Sequence, residues 1–250
     1  MPIKLLLDPD RTDYFEGDDV SPLLDIVKYE IPLPAQLAGK VRGNFPGFLP
    51  KTDEPRLQSF PYILEKYKDQ KFFIAEKLDG SSTSFVIKND EFHVCSRGLD
   101  LLDDGANTIW RVAKEMKIEE KLRSLGKEQW SIQGEIVGDK IQGNTLKITG
   151  HKIFFFNLYN FIEGRYAHYS EFKMLMTAMR LPIVPILQTD IDLPATVDEA
   201  VKMATIKSTI YPDGWAEGIV FRPMNEIQDD KLGTHLSFKV INPEFLLKNE

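Results

Sequence analysis

Phe72-Phe73-Ile74-Ala75-Glu76-Lys77-Leu78-Asp79-Gly80-Ser81-Ser82 is an apolar run that delivers one lysine and then stops at a glycine. Phe72 to Ala75 reads as a buried strand, and Gly80 with its serine neighbours lets the backbone approach a ligand closely. Lys77 therefore stands at a strand mouth, where a lysine is a candidate nucleophile. Its neighbours Glu76 and Asp79 work against that role, because carboxylates hold an ammonium protonated. Burial, or a bound cation nearby, is needed to free the amine for attack. The same residues also read as a turn after an edge strand with a solvated lysine, and Lys-x-Asp-Gly alone does not separate the two.

The remainder of the chain narrows the choice. Its 250 residues, 42% hydrophobic and 28% charged, suit one large globular domain or two small ones and argue against disorder. With 31 Lys and Arg against 38 Asp and Glu, the formal charge is −7, so no bulk basic signature holds the protein to phosphate. Any nucleic-acid contact must use a local basic surface. Cys95 is the single cysteine, which excludes an intramolecular disulfide, and His93, His151, His168 and His235 show no zinc spacing. The most apolar stretch, Ile153 to Ile162, is broken by Asn157 and Asn160 and is too short to span a bilayer. A soluble protein in a reducing compartment, cytoplasmic or nuclear, is expected, with no targeting segment.

Residues 1–50 are rich in proline, glycine and acids, as in Asp8-Pro9-Asp10, Ile31-Pro32-Leu33-Pro34 and Asn44-Phe45-Pro46-Gly47. This punctuation predicts an extended linker or wrapping segment ahead of a domain over 51–250. Lys51, Arg56 and Gln58 concentrate polar groups before the lysine strand and either line a site or sit in a solvated loop. Thr83 to Ile87 and Phe92 to Ser96, joined by Asn89-Asp90, alternate as a hairpin should. Arg97 emerges at its end beside Gly98, free to fork onto phosphate or ribose or to remain exposed.

Asn107 caps a helix with apolar positions at Ile109, Trp110, Val112, Ala113 and Met116. Trp130 to Gly138 is an alternating strand carrying Glu135 close to glycines, which points to a close approach to the backbone. Ile153 to Tyr159 reads as a central aromatic strand. Two helices follow, one capped near Ser170 and one opened by the capping box Thr196-Val197-Asp198-Glu199. Trp215 to Arg222 and Leu236 to Ile241 are further strands, carrying Glu217 and Lys239, and Asn242-Pro243 opens a last helix. The implied fold is α+β, mainly antiparallel sheets flanked by helices.

Taken in order, Lys77-Leu78-Asp79-Gly80-Ser81, Ser96-Arg97-Gly98, Gly134-Glu135-Ile136-Val137-Gly138, Phe154 to Tyr159, Glu217 to Arg222 and Ser237-Phe238-Lys239-Val240-Ile241 resemble the nucleotidyltransferase motifs of covalent ligases and capping enzymes. Gly43 to Pro46, Lys51 to Glu54 and Ser237 to Asn242 resemble most the fifth class of ATP-dependent RNA ligases, which seal 3′-OH/5′-phosphate nicks. The resemblance implies an ATP-grasp-like nucleotidyltransferase domain of the DNA/RNA ligase type, acting as a monomer in RNA repair. It implies that Lys77 forms a lysyl-AMP from ATP, and that AMP then passes to the 5′-phosphate of a nicked or single-stranded RNA end.

Lys77, Lys239, Glu217 and Asp79 are the implied catalytic residues. Glu76, Arg97, Glu135 and Phe155 join Lys77, Glu217 and Lys239 around the nucleotide, Phe155 being favoured for stacking on adenine because strand alternation puts Phe154 and Phe156 on the other face. Asp79, Glu135 and Glu217 would hold Mg²⁺ or Mn²⁺, mostly through waters. The family pattern often has two lysines around the last strand, but Ser237 stands at the first position, with Lys231 a possible substitute. The relatives carry an OB domain ahead of the catalytic one, which this chain is expected to lack, so weak nick sealing by it alone is anticipated. A DNA ligase, a GTP-using capping enzyme and a non-catalytic RNA-binding module are the alternatives.

Overall fold

Phe72–Lys77 forms a strand, β2, whose first five residues are all buried. The computed structural model describes residues 34–126 and 128–249, together with Ser21 and Ile26. Strands and helices are numbered in chain order. On one side β2 pairs with Gly218–Pro223 (β10), which pairs in turn with Phe238–Ile241 (β13), and on the other with Ile186–Ile191 (β9), so the four form one antiparallel sheet. Alternation sends Phe72 and Ile74 to one face, with Phe221, Phe238, Ala200 and Ala204, and Ala75 to the other, with Val137, Leu146 and Ile148. Both faces are covered, which is why β2 reads as an unbroken apolar run. Truncating a core ring such as Phe221, stacked on Phe238 with ring centroids 5.0 Å apart, would cost about 3–5 kcal/mol.

The larger sheet has seven strands in the order β1-β5-β4-β3-β6-β7-β8. They are Val41–Asn44 (β1), Ser81–Lys88 (β3), Glu91–Ser96 (β4), Leu99–Leu101 (β5), Trp130–Gly138 (β6), His151–Asn160 (β7) and Arg165–Tyr166 (β8). The predicted hairpin is β3–β4, and Asn89 and Asp90 at its turn both have positive φ, 51° and 65°, as a two-residue primed turn requires. A two-stranded ribbon, Gln228–Asp229 (β11) with Thr234–His235 (β12), completes the sheets. Every described ladder is antiparallel; parallel pairing is confined to the isolated bridges Arg56 with Lys239 and Phe155 with Ile183.

The helices are Tyr62–Lys66 (α1), Thr108–Glu115 (α2), Ile118–Ser124 (α3), Tyr169–Ala178 (α4), Val197–Ala204 (α5) and Pro243–Asn249 (α6). Asn107 caps α2 by accepting from the backbone N–H groups of Ile109 and Trp110. At α5, Thr196 Oγ1 accepts from Glu199 N, while the Glu199 carboxylate reaches back to Ala195 N instead of the cap's own N–H. Helix α4 starts at Tyr169, with His168 and not Ser170 at the cap position and no side-chain cap hydrogen bond. The strand expected from Trp215 begins only at Gly218, because Trp215 bridges Lys207 and Ala216 N donates to Ile206 O.

The chain divides into two compact units, Met1–Ala38 and Gly39–Glu250. In the first, the regular structure described is a 3-10 turn, Ala35–Leu37; the extended course expected for most of this segment lies outside the described residues. The second unit starts well ahead of Lys51, since β1 pairs with β5 at the edge of the large sheet. No helix among the described residues is long and apolar enough to cross a membrane.

Candidate active site

The link from β2 to β3 presses against β6. A Cβ on Gly80 would lie 2.5 Å from Ile136 O, so glycine is required here by the neighbouring strand alone, and Gly80 also lines the cavity. This close packing brings the end of β2, the start of β3 and the middle of β6 around one cavity of about 320 Å³. Lys77, Asp79, Glu135, Glu217, Lys239, Arg97 and Glu76 all line it, so these sequence-derived candidates meet in space.

Lys77 Nζ donates to Glu217 Oε2 at 2.7 Å, and both side chains are about one-fifth exposed (22% and 18%). Register explains the meeting: Lys77 is opposite Gly218 across the β2–β10 ladder, so the residue just before Gly218 reaches the lysine. Lys239 enters from β13, opposite Val220. Burial, and then the charge of Lys77, hold its ammonium below the usual lysine range. Asp79 Oδ2 accepts from Thr145 Oγ1 at 2.8 Å, yet burial still raises its carboxyl.

Glu135 has no side-chain hydrogen bond among the described residues. Burial pushes it up to about 8 against the pull of Lys77, and Glu217 and Asp79 add repulsion to the burial. Burial likewise raises Glu217, against the pull of Lys77. Three carboxylates that resist ionisation on one wall fit a cation between them, since positive charge is what the wall lacks. Among the described residues no three His, Cys, Asp or Glu side chains cluster tightly enough to ligate a metal directly, and an ion here would be held through water.

Two candidates behave differently from expectation, and a third is tied to a loop. Glu76 lines the cavity, and its buried carboxylate accepts from Ser208 Oγ at 2.6 Å, Thr209 N at 2.9 Å and the Thr209 hydroxyl. It thereby braces the 208–209 loop, with one of its about four acceptor positions left over on Oε1. Phe155 is fully buried, packs edge-on to Phe85 and does not line the cavity; Phe156 does. Phe154 and Phe156 do share the opposite face, but that is the face the site occupies. A bulge sharpens this, since Gln133 pairs with Asn157 and Gly134 with Phe155, leaving Phe156 unpaired on the pocket side. Lys231 lies over the Tyr62 ring at 4.6 Å, away from the cavity lining, and cannot substitute for the lysine that Ser237 replaces.

The sequence reading also missed the ion pairs that build the wall. Arg222 pairs with Glu54 at 2.6 Å, both nearly buried, and its guanidinium lies over Phe156 at 5.4 Å. Burial raises the Glu54 carboxyl, but Arg222 and His235 outweigh it and leave it below the usual range. Arg97 pairs with Asp53 at 2.7 Å on the exposed rim. Within the polar stretch 51–58 it is therefore Thr52, Asp53 and Glu54 that line the cavity, while Lys51 sits over Phe45 and Arg56 bridges to Lys239. Arg222 and Glu54 each stood in a quoted stretch, but nothing local in either marks the other as its partner.

Comparison with known proteins agrees with this geometry. The RNA ligase family model matches residues 70–241, a span from β2 to β13. The chain belongs to the RNA ligase family. Solved structures of Naegleria gruberi RNA ligase resemble it at TM-scores near 0.77. A lysine-to-methionine mutant with AMP and Mn shares 32% identity over 95% of this chain and 69% of that one, at a TM-score of 0.77. A lysine-to-alanine mutant with ATP and Mn shares 32% over 95% and 68%, at 0.77. The same ligase with PPi shares 34% over 93% and 67%, at 0.76. No curated protein matches the chain. The family's nucleotidyltransferase fold is thus the two-sheet body described above, with its cavity between the sheets.

Proposed function

We propose that this chain is an ATP-dependent RNA ligase nucleotidyltransferase of the fifth class, acting as a monomer on nicked or single-stranded RNA ends. The observation that carries the reading is the convergence of Lys77, Asp79, Glu135, Glu217 and Lys239 on one cavity in a chain of the RNA ligase family. Structures of Naegleria gruberi RNA ligase with AMP, ATP, Mn and PPi support ATP and a divalent metal as the reactants' company here.

In the first step, the deprotonated Lys77 Nζ attacks the α-phosphorus of ATP. The N–P bond forms as the Pα–O bond to pyrophosphate breaks, giving lysyl-AMP. Glu217 already accepts a hydrogen bond from Nζ, and its raised carboxyl makes it a competent acceptor for a proton that the nitrogen sheds. Lys239 faces the same space, has no ion-pair partner among the described residues, and stabilises charge developing on the phosphates. Phe156, braced by Arg222, stacks on the adenine, and Arg97 on the rim is placed for the ribose or the RNA. Mg²⁺ or Mn²⁺, held by Asp79, Glu135 and Glu217 through water, would supply positive charge that favours the neutral amine. AMP then moves to an RNA 5′-phosphate, and a 3′-OH displaces it.

The test is joining itself. With ATP and Mn²⁺, the protein should carry a transient label from α-labelled ATP and convert RNA ends, not DNA ends, to joined product. Labelling by GTP in place of ATP, or joining of DNA in preference to RNA, would overturn the assignment.

A further inference from the structure

The connection between β6 and β7, residues 139–150, borders the cavity and has an unfavourable backbone. Lys140, Gln142, Asn144 and Lys147 have positive φ, between 44° and 62°, as do Gly143 and Gly150. Non-glycine residues keep that conformation only where their surroundings over-determine it, and such residues gather at ligand clamps. Here the surroundings are explicit. Asp139 N donates to Gly150 O at 2.9 Å and Gly150 N returns to Asp139 Oδ2 at 2.8 Å. A Cβ on Gly138 would lie 2.0 Å from Gly150 O, so the base of the loop admits glycine alone. Asn144 both accepts from Ile148 N and donates to Ile148 O, and Leu146 and Ile148 are buried beneath Ala75 and Leu78. Thr145 ties the loop to Asp79, two residues from Lys77.

What this bracing presents to the cavity is Gln142, which is exposed at its rim. Among the described residues, the long polar side chains lining the cavity are hydrogen-bonded within the protein except Glu135, Lys239 and Gln142. Lys239 is a cation for the phosphates and Glu135 belongs to the carboxylate wall, so both have roles above. Gln142 is neutral, with one acceptor oxygen and two N–H donors. A phosphate uses only the donors, whereas a hydroxyl, which donates and accepts, can use both halves of the carboxamide. The ribose 2′-hydroxyl is such a group and is what distinguishes RNA from DNA at a site.

Building on the ligase reading, we propose that Gln142 is a specificity-determining residue that hydrogen-bonds a ribose 2′-hydroxyl, on the RNA end to be joined or on ATP. Two variants test it: Gln142→Gly accepts the left-handed backbone and removes the carboxamide, and Gln142→Asn keeps the group on a shorter arm. One arm compares adduct formation with ATP and 2′-deoxyATP. The other starts from pre-adenylylated protein and compares single-turnover joining of ends carrying a terminal ribose or 2′-deoxyribose. In one arm the wild type should prefer the hydroxyl-bearing partner about tenfold or more, and that arm identifies the source. There Gln142→Gly should lose the preference through slower use of the hydroxyl-bearing partner, with the deoxy rate unchanged and partial recovery in Gln142→Asn. An unaltered preference in both arms, no wild-type preference in either, or deoxy rates that fall equally would overturn the proposal. Absence of any adduct on the wild type with ATP would instead overturn the ligase reading beneath it.

Discussion

Phe156 and Arg222 form a wall with a cavity of about 320 Å³ on one side and one of about 20 Å³ on the other. Both sides hold a carboxyl pushed up to about 8, Glu135 in front and Glu226 behind. Behind the wall, Tyr166 Oη, Glu226 Oε1 and Arg222 Nε are buried without a hydrogen-bond partner among the described residues. Burial there also pushes His235 down to about 4, as it stacks on Tyr166 with ring centroids 4.0 Å apart. That space is on the scale of a single water, for which about 10–15 Å³ is the minimum. A raised carboxyl therefore does not mark a site by itself. In front, the charge stands open to a nucleotide, a cation and the Lys77 amine, whereas behind it is a stability cost kept down by neutrality.

The largest effect should come from breaking the wall. Arg222→Ala leaves the Glu54 carboxylate buried and unpaired, and urea unfolding should show a loss of about 3–5 kcal/mol. A loss below ~1 kcal/mol would mean that the pair does not hold the two cavities apart. The two neighbouring rings should then separate the faces of β7. Phe155→Ala should cost about 3–5 kcal/mol of stability with little change in KM for ATP. Phe156→Ala should cost about 1–3 kcal/mol in ATP binding, a roughly tenfold to hundredfold rise in KM. The reverse pattern would restore Phe155 as the stacking ring.

Glu226 sharpens the contrast through pH. Its folded pKa, about 8, lies above the ordinary value of 4.5, so its contribution to stability is complete below pH 4.5 and is lost as pH rises through 8. Allowing for its partial exposure, Glu226→Gln should match the wild type at pH 5 and exceed it by about 2 kcal/mol at pH 8. Equal stability curves at both pH values would show that the rear cavity carries no such cost. The smallest effect belongs to the rim: the exposed Arg97–Asp53 pair should contribute under ~1 kcal/mol, so Asp53→Ala should barely move the melting temperature.

These contrasts also explain what was legible beforehand. The β2 run, the β3–β4 hairpin and the Asn107 cap follow from local periodicity and turn chemistry, and appear where expected. Lys77, Glu135, Glu217 and Lys239 were readable because each sits in or beside a short strand motif. Phe156 was not, since alternation says which rings share a face but not which face the second sheet covers, and a bulge shifts the register there. The Glu54–Arg222 and Glu76–Ser208 contacts join residues 168 and 132 positions apart, and no local pattern encodes them. Gln142 was not legible, because its significance lies in backbone angles and an unused carboxamide.

The account rests on Lys77 as the nucleophile, and its most direct test is the position of the adduct. The protein should be incubated with ATP and Mn²⁺, digested, and the peptides mapped by mass spectrometry. One AMP on Lys77, absent from Lys77→Met, is the predicted result. AMP on another residue, or an adduct that survives Lys77→Met, would contradict it.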